Sequence, residues 1–490
     1  MKTAKYTNKD TLKYRLKQIN IPNELSDESF KYLNQINFSE KELAEWQFCF
    51  GDFRKKDLSK ITTLQNKCFD TETQFSIEQQ LRLEPEKLIE LGKRRGLGID
   101  KLKELGFNGN GIRIAIIDGF FSLEHKEFDN SNILFDDSNI QDYIINIDEQ
   151  NILLPAKEMK KSQNFHGLTV ASLLCGKNIG IAPNSTCHYF ACNDITEKFQ
   201  SDRISALEKI IKYNDENPED KIQIISMSSG LTNGKLGEDK EIDLLRDKYH
   251  NRLKEQGCIL LDINESMMQR YTQGCIKDIY GNIDDIENYF LSFASDDSTI
   301  FTEYQKYLRN TEKNVESTNT LTLEEFKKDY INKINTTYKE KLIIPSGKIT
   351  IPEVETKSGY RYEGNATSLS WTVPIIAGYM AMCKQIDKDL TEDDIYNYFR
   401  TSQSITENGL KIINLPQSLL QIARNKLKQE PNNEEVNKYL KLLETNFPEI
   451  KQSFSKELKT LTVPEDELHI PSDTQTEISN NISKENELIC

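Results

Sequence analysis

Three short stretches carry side chains that could cooperate in acyl transfer. Asp118 ends the apolar run Ile112-Arg113-Ile114-Ala115-Ile116-Ile117. His166 opens His166-Gly167-Leu168-Thr169-Val170-Ala171, and Ser370 opens Ser370-Trp371-Thr372-Val373-Pro374-Ile375-Ile376-Ala377-Gly378. A hydroxyl is a weak nucleophile at neutral pH. It attacks a carbonyl effectively when an imidazole takes its proton and a carboxylate fixes that imidazole. An Asp at a strand end, or a His at a helix start, is usually a structural residue when it occurs alone. Three such positions in one chain, each at the edge of an apolar element, make a triad the expectation.

The elements that must position these residues can be read from the apolar pattern. Ile112 to Ile117, bounded by Gly111 and Gly119, reads as a strand buried on both faces. Ile222 to Met227 and Cys258 to Ile263 read the same way. Helical stretches separate them, which predicts an α/β fold with a doubly wound, mostly parallel sheet. Such sheets place their chemistry at the carboxyl ends of strands. Asp118 and Asn264 both stand just beyond an apolar strand, and His166 before Gly167 would sit at a helix N-terminus facing a cleft.

The expected organisation has three parts. Residues 1–100 read as a helical N-terminal accessory or pro-region. It holds a capping box at Ser39-x-x-Glu42 ahead of Leu43, Trp46 and Phe50, a second helix from near Ser76, and a third opened by Pro85. Residues 101–425 read as the catalytic domain, with a polar, lysine-rich insertion over about 265–341 that contains a helix near 323–334. Val373 to Met382 should be a buried helix with Pro374 in its first turn, and Thr391 should cap another. Residues 426–490 read as a helix near 432–443 followed by a polar tail, disordered from Pro464.

Gly109-Asn110-Gly111 and the following strand into Asp118, His125-Lys126-Glu127-Phe128, the His166 segment, Gly180-Ile181-Ala182-Pro183 and the Ser370 segment together resemble the subtilases, the subtilisin-like serine proteases of the peptidase S8 family. The resemblance spans roughly 106–416 with the insertion unmatched, and the Asp, His, Ser order agrees with it. It implies a subtilisin-like fold and endopeptidase activity with Asp118, His166 and Ser370 as the triad. It also implies Asn264 as an oxyanion donor, joined by the Ser370 backbone N–H, and Ser228-Ser229-Gly230 as the edge that pairs with substrate backbone. Two departures stand out. Ser368-Leu369 replaces the family's Gly-Thr before the serine, and the family's Ala-Ala-Gly before the asparagine is missing. Thr367-Ser368 is a rival placement of the nucleophile. Ser370 fits better because Pro374, Ala377 and Gly378 keep their spacing to it, and each inserted helical residue would rotate that register by about 100°.

Composition narrows the remaining choices. The 490 residues are 37% hydrophobic and 29% charged, with a net charge of −15. That balance fits a soluble globular protein and argues against nucleic acid as the main partner. The run Lys93-Arg94-Arg95 reads as a solvated helix end. The first ten residues carry no apolar signal core, and no uncharged run is long enough for a bilayer, so the cytoplasm is the expected location and no membrane partner is expected. Nine scattered cysteines read as reduced thiols. Cys187-His188 with Cys192 reads as a buried strand rather than a zinc site. Asp129, Asp136 and Asp137 read as a solvated acidic loop. No metal or other cofactor is expected, although the resemblance leaves room for structural calcium. The expected partner is a peptide or protein substrate, with oligomeric state open. The alternative is a catalytically inactive, subtilase-like peptide-binding protein.

Overall fold

A computed structural model describes residues 3–5, 54, 69–71, 73–129, 131–147, 150–156, 160, 165–193, 196–228, 240–263, 269–291, 304, 307, 321–338, 340–356 and 359–447. In chain order, α1 (Ile77–Leu83), α2 (Pro85–Gly92) and α3 (Ile99–Glu104) lead into β1 (Arg113–Gly119) and β2 (Ile133–Asp136). Next come α4 (Phe165–Cys175), β3 (Thr186–Cys192), α5 (Thr196–Glu216), β4 (Ile224–Met227), α6 (Lys240–Glu255) and β5 (Ile259–Asp262). Then follow β6 (Tyr271–Ile276), β7 (Tyr289–Leu291), α7 (Leu323–Tyr338), β8 (Leu342–Thr356) and β9 (Gly359–Thr367). The described chain closes with α8 (Thr372–Ile386), α9 (Glu392–Thr401), α10 (Leu415–Gln429) and α11 (Glu434–Asn446).

The central sheet has the order β2-β3-β1-β4-β5, with every neighbouring pair parallel. Alternate residues of β1 enter different cores. Ile114 and Ile116 join the cluster containing α4, α8 and α10, whereas Ala115 and Ile117 join the one containing α5 and α6. Period-two alternation thus puts helices on both faces, and the fold is doubly wound as expected. Strand order reverses at β1, which lies between β3 and β4, and doubly wound sheets receive ligands beyond the carboxyl ends of strands at such a reversal. Asp118 sits there.

A second sheet runs β7-β6-β8-β9 and ends on Phe69–Asp70. Strand β6 is parallel to β8, and β8 and β9 form an antiparallel pair. All six residues of β6 are buried, although 271–276 fall inside the stretch read as a surface insertion. Tyr271-Thr272-Gln273 lacks an apolar signature, and its burial comes from pairing with β7 and β8, which lie later in the chain. The helix expected near 323–334 is present as α7. In a smaller sheet, Thr3–Lys5 pairs with Tyr143–Ile147, which pairs with Gln150–Leu154.

The expected boundary at residue 100 falls inside α3. Phe75, Leu83, Leu88, Ile89, Ile99 and Leu102 all belong to the main core. Local signals built these helices: Ser76 and Gln79 form a reciprocal capping box, and Pro85 occupies the first position of α2. Arg95 corrects the solvated reading of its basic run. It is 4% exposed, and its Nε and Nη2 donate to the Ile179 carbonyl at 3.0 and 2.9 Å. A buried guanidinium is tolerable when carbonyl acceptors replace water, and its partner lies 84 residues away, beyond any local pattern. The boundary expected at 425 likewise lies within α10, and Val436 and Leu443 of α11 belong to the main core. The Ser39 capping box and the tail from Pro464 lie outside the described residues. No described helix is long and apolar enough to cross a membrane.

Candidate active site

Asp118 is the penultimate residue of β1 and is 2% exposed. Its Oδ1 lies 2.9 Å from His166 Nδ1 and also accepts the Gly119 N–H at 2.8 Å. Oδ2 is buried without a hydrogen-bond partner. With Nδ1 facing the carboxylate, Nε2 is the nitrogen placed for proton transfer.

The sequence brings this pair together through a close approach. His166 lies in the first turn of α4, and the Gly167 position nearly touches the end of β1. A Cβ built at Gly167 would lie 2.2 Å from the Gly119 carbonyl oxygen and 2.4 Å from the Tyr189 hydroxyl. Only glycine permits that approach. The Tyr189 hydroxyl donates to the same Gly119 carbonyl, which ties β3 to the strand end that carries Asp118.

The far end of α4 is held by a buried carboxylate. Glu127 accepts from the Asn178 N–H at 2.9 Å, the Ile179 N–H at 3.3 Å, the Asn178 side-chain amide at 3.0 Å and the Tyr362 hydroxyl. His125, fully buried, accepts the Glu127 N–H through Nδ1 at 3.2 Å. The turn after α4 therefore gives its N–H groups to Glu127 and its Ile179 carbonyl to Arg95. The His125-Lys126-Glu127-Phe128 segment is thus structural, and it fixes the helix that carries His166.

Ser370 lies in the 3-10 turn Leu369–Trp371, which runs directly into α8. It is 8% exposed. The indole of Trp371 packs beside the His166 ring with centroids 5.4 Å apart. The structure thus couples His166 to Asp118 by a hydrogen bond and to Trp371, the residue after Ser370, by ring packing. Ser368 is the N-cap of the turn. Its backbone is extended and its hydroxyl accepts the Ser370 N–H at 3.3 Å.

Ser228, expected at a substrate edge, donates its hydroxyl to the Ser370 carbonyl at 3.0 Å. That bond is structural support for the serine turn. Asn264, Ser229 and Gly230 lie outside the described residues. Two contacts at the site had no signal in the sequence. Gln273 of β6 donates its amide to the Ser368 carbonyl, and Trp371 packs on the imidazole. A polar Gln in a lysine-rich stretch gives no hint of such a role.

The other candidates resolve simply. Cys187, His188 and Cys192 lie on β3, and no group of three or more potential ligands gathers as a metal site among the described residues. His188 Nε2 lies 3.2 Å from Arg113 Nη1. Burial, then the Arg113 charge, lowers its pKa to about 4. Asp136 pairs with Lys209 at 2.9 Å and Asp137 with Lys160. Hydrogen bonds from Ser138 and Lys209 outweigh burial and hold the Asp136 carboxyl below its ordinary range.

Residues 109–261 match the model of the Subtilase family. Solved structures similar to the chain include the prenylagaramide maturation protease PagA, at 16% identity and TM-score 0.39, covering 66% of this chain and 98% of that one. The PatG macrocyclase domain is similar at 13% identity and TM-score 0.37, covering 67% and 95%. The patellamide maturation protease PatA is similar at 14% identity and TM-score 0.37, covering 64% and 97%. No curated protein matches the sequence at a significant level.

Proposed function

We propose that this chain, matched to the Subtilase family over residues 109–261, is a serine endopeptidase that hydrolyses peptide bonds through Asp118, His166 and Ser370. The observation that carries the reading is the 2.9 Å contact between His166 Nδ1 and a buried Asp118 at the carboxyl end of the central strand. Asp118 would hold the imidazole in the tautomer whose Nε2 accepts a proton, and would stabilise the imidazolium that forms. Ser370 Oγ would attack the scissile carbonyl as His166 takes its proton. His166 would then deliver that proton to the leaving amine, giving an acyl-enzyme that water hydrolyses. Triad hydrogen bonds commonly tighten only when substrate is bound, so a short closing movement of Ser370 is part of the reading.

Asn264 and the Ser370 N–H would receive the oxyanion. Ser228, Ser229 and Gly230 would pair with extended substrate backbone, while the Ser228 hydroxyl also supports the serine turn. The chemistry draws on side chains and backbone alone and calls for no cofactor. A net charge of −15 favours a peptide or protein partner over nucleic acid. Cys175, Cys187, Cys258 and Cys383 are buried thiols outside any disulfide, which suits a reducing, cytoplasmic setting.

A fluorophosphonate probe tests the reading. It should label the wild type and leave Ser370→Ala unlabelled, and equal labelling of both would remove Ser370 from the role. The second reading, an inactive peptide-binding protein, is favoured by the capped Ser370 N–H. Absent labelling together with retained peptide binding would select it.

A further inference from the structure

The N–H of Ser370 is already occupied. Its acceptor is the Ser368 hydroxyl, 3.3 Å away, in an N-cap geometry with φ −154° and ψ 143°. An N–H in the first turn of a helical segment is a natural anion donor, since it has no partner within the helix and lies at the positive end of the dipole. This is the same donor that the serine-protease reading assigns to the oxyanion, and one hydrogen cannot serve both acceptors well.

The backbone around it cannot easily move to release the donor. The Ser368 carbonyl accepts the Trp371 N–H at 3.1 Å and the side-chain amide of Gln273, which is 2% exposed. The Ser370 carbonyl accepts the buried Ser228 hydroxyl at 3.0 Å. Donors from two different elements therefore clamp the carbonyls on either side of the N–H in question. What remains free to change is the Ser368 χ1 angle, a single side-chain rotation between staggered wells.

We propose that Ser368 gates the oxyanion site: its hydroxyl holds the Ser370 N–H in the resting enzyme and must rotate away as the tetrahedral oxyanion forms. The inference rests on the serine-protease reading above and adds to it a residue that acts on catalysis through another. Ser368 is a positioning residue. Its effect is to slow acylation, because each turnover must first break the cap. A hydrogen bond of ordinary net strength corresponds to a factor of roughly three to ten.

The test is the rate of fluorophosphonate labelling, resolved into probe affinity and the bond-forming constant, on the wild type and on Ser368→Gly, Ser368→Ala and Ser368→Thr. Removing the hydroxyl should raise the bond-forming constant about three- to tenfold with affinity unchanged. Ser368→Thr keeps a hydroxyl and should stay near the wild type. A purely structural cap would lower the melting temperature of Ser368→Ala and leave the labelling constant alone. Glycine substitutes well at an N-cap, so Ser368→Gly keeps the test informative if the alanine variant folds poorly. An unchanged constant in both Gly and Ala variants overturns the gate. A slower one also overturns it, by making the hydroxyl a contributor to oxyanion stabilisation. Failure of the underlying reading would look different, as no labelling of the wild type or labelling that survives Ser370→Ala. Labelling lost in Ser368→Ala but kept in Ser370→Ala would make Ser368 the nucleophile and overturn both.

Discussion

Acidification should destabilise this fold through a histidine that the proposed chemistry does not use. His188 lies on β3 and is 7% exposed, with the Tyr213 ring 5.0 Å away and the Arg113 guanidinium 3.2 Å from Nε2. Arg113 is in turn held by the Asp220 carboxylate through Nε at 2.6 Å and through Nη2. Burial is the larger cause of the lowered pKa and the Arg113 charge the second, while Asp220 opposes both more weakly, leaving a value of about 4 against 6.5 for the free side chain. Above pH 6.5 the imidazole is neutral in both folded and unfolded chains, and its contribution is fully present. As pH falls below 6.5 the unfolded chain takes up the proton while the native state resists until about pH 4, so stability is lost across that window. The whole gap is worth about 3 kcal/mol, of which about 2 kcal/mol is lost by a pH of about 5. The assay is urea unfolding of the wild type and His188→Gln at a pH of about 7.5 and again at about 5. The wild type should lose about 2 kcal/mol more than the variant between the two conditions. Equal losses would refute the reasoning, because the variant has no imidazole to titrate.

Three further outcomes follow from the site and its supports. Asp118→Asn should fold normally yet reduce the fluorophosphonate labelling rate by roughly 10⁴-fold, since the amide favours the wrong imidazole tautomer; a near-wild-type rate would separate Asp118 from the chemistry. Gly167→Ala forces a Cβ to within 2.2 Å of the Gly119 carbonyl, and displacing His166 by about 1 Å should cost on the order of 100-fold in labelling rate. Glu127→Gln turns an amide toward at least one of the donors that the carboxylate now accepts, and thermal or urea unfolding should register a loss of about 2–4 kcal/mol.

What could be read in the sequence was whatever is written locally. Asp118 and His166 each stand at the edge of an apolar element beside a glycine, and the structure joins them with one hydrogen bond. The buried helix α8 and the Thr391 capping box with Asp394 were equally legible, because apolar content and cap chemistry act within a few residues. Arg95 was misread because its acceptor is far away along the chain, and a basic run carries no mark of what will cover it. Strand β6 was hidden for the same reason, since Thr272 and Gln273 are buried in a strand whose partners β7 and β8 come later in the chain. The hydrogen bond from the Ser228 hydroxyl to the Ser370 carbonyl was not legible, because a Ser at a strand end carries no mark of a partner 142 residues away.

The insertion of Arg95 between α2 and the turn after α4 bears on where this polypeptide tolerates being cut. Phe69–Asp70 hydrogen-bonds to β9, and the Thr350 hydroxyl donates to the Ile89 carbonyl of α2. Chain removal that stops short of Phe69 leaves these seams closed. Removal up to residue 100 would strip an edge from the second sheet and take Arg95 from the Ile179 carbonyl, in the turn that follows the helix bearing His166. Any shortened form meant to keep the Asp118–His166 pair in its present surroundings therefore has to begin upstream of Phe69.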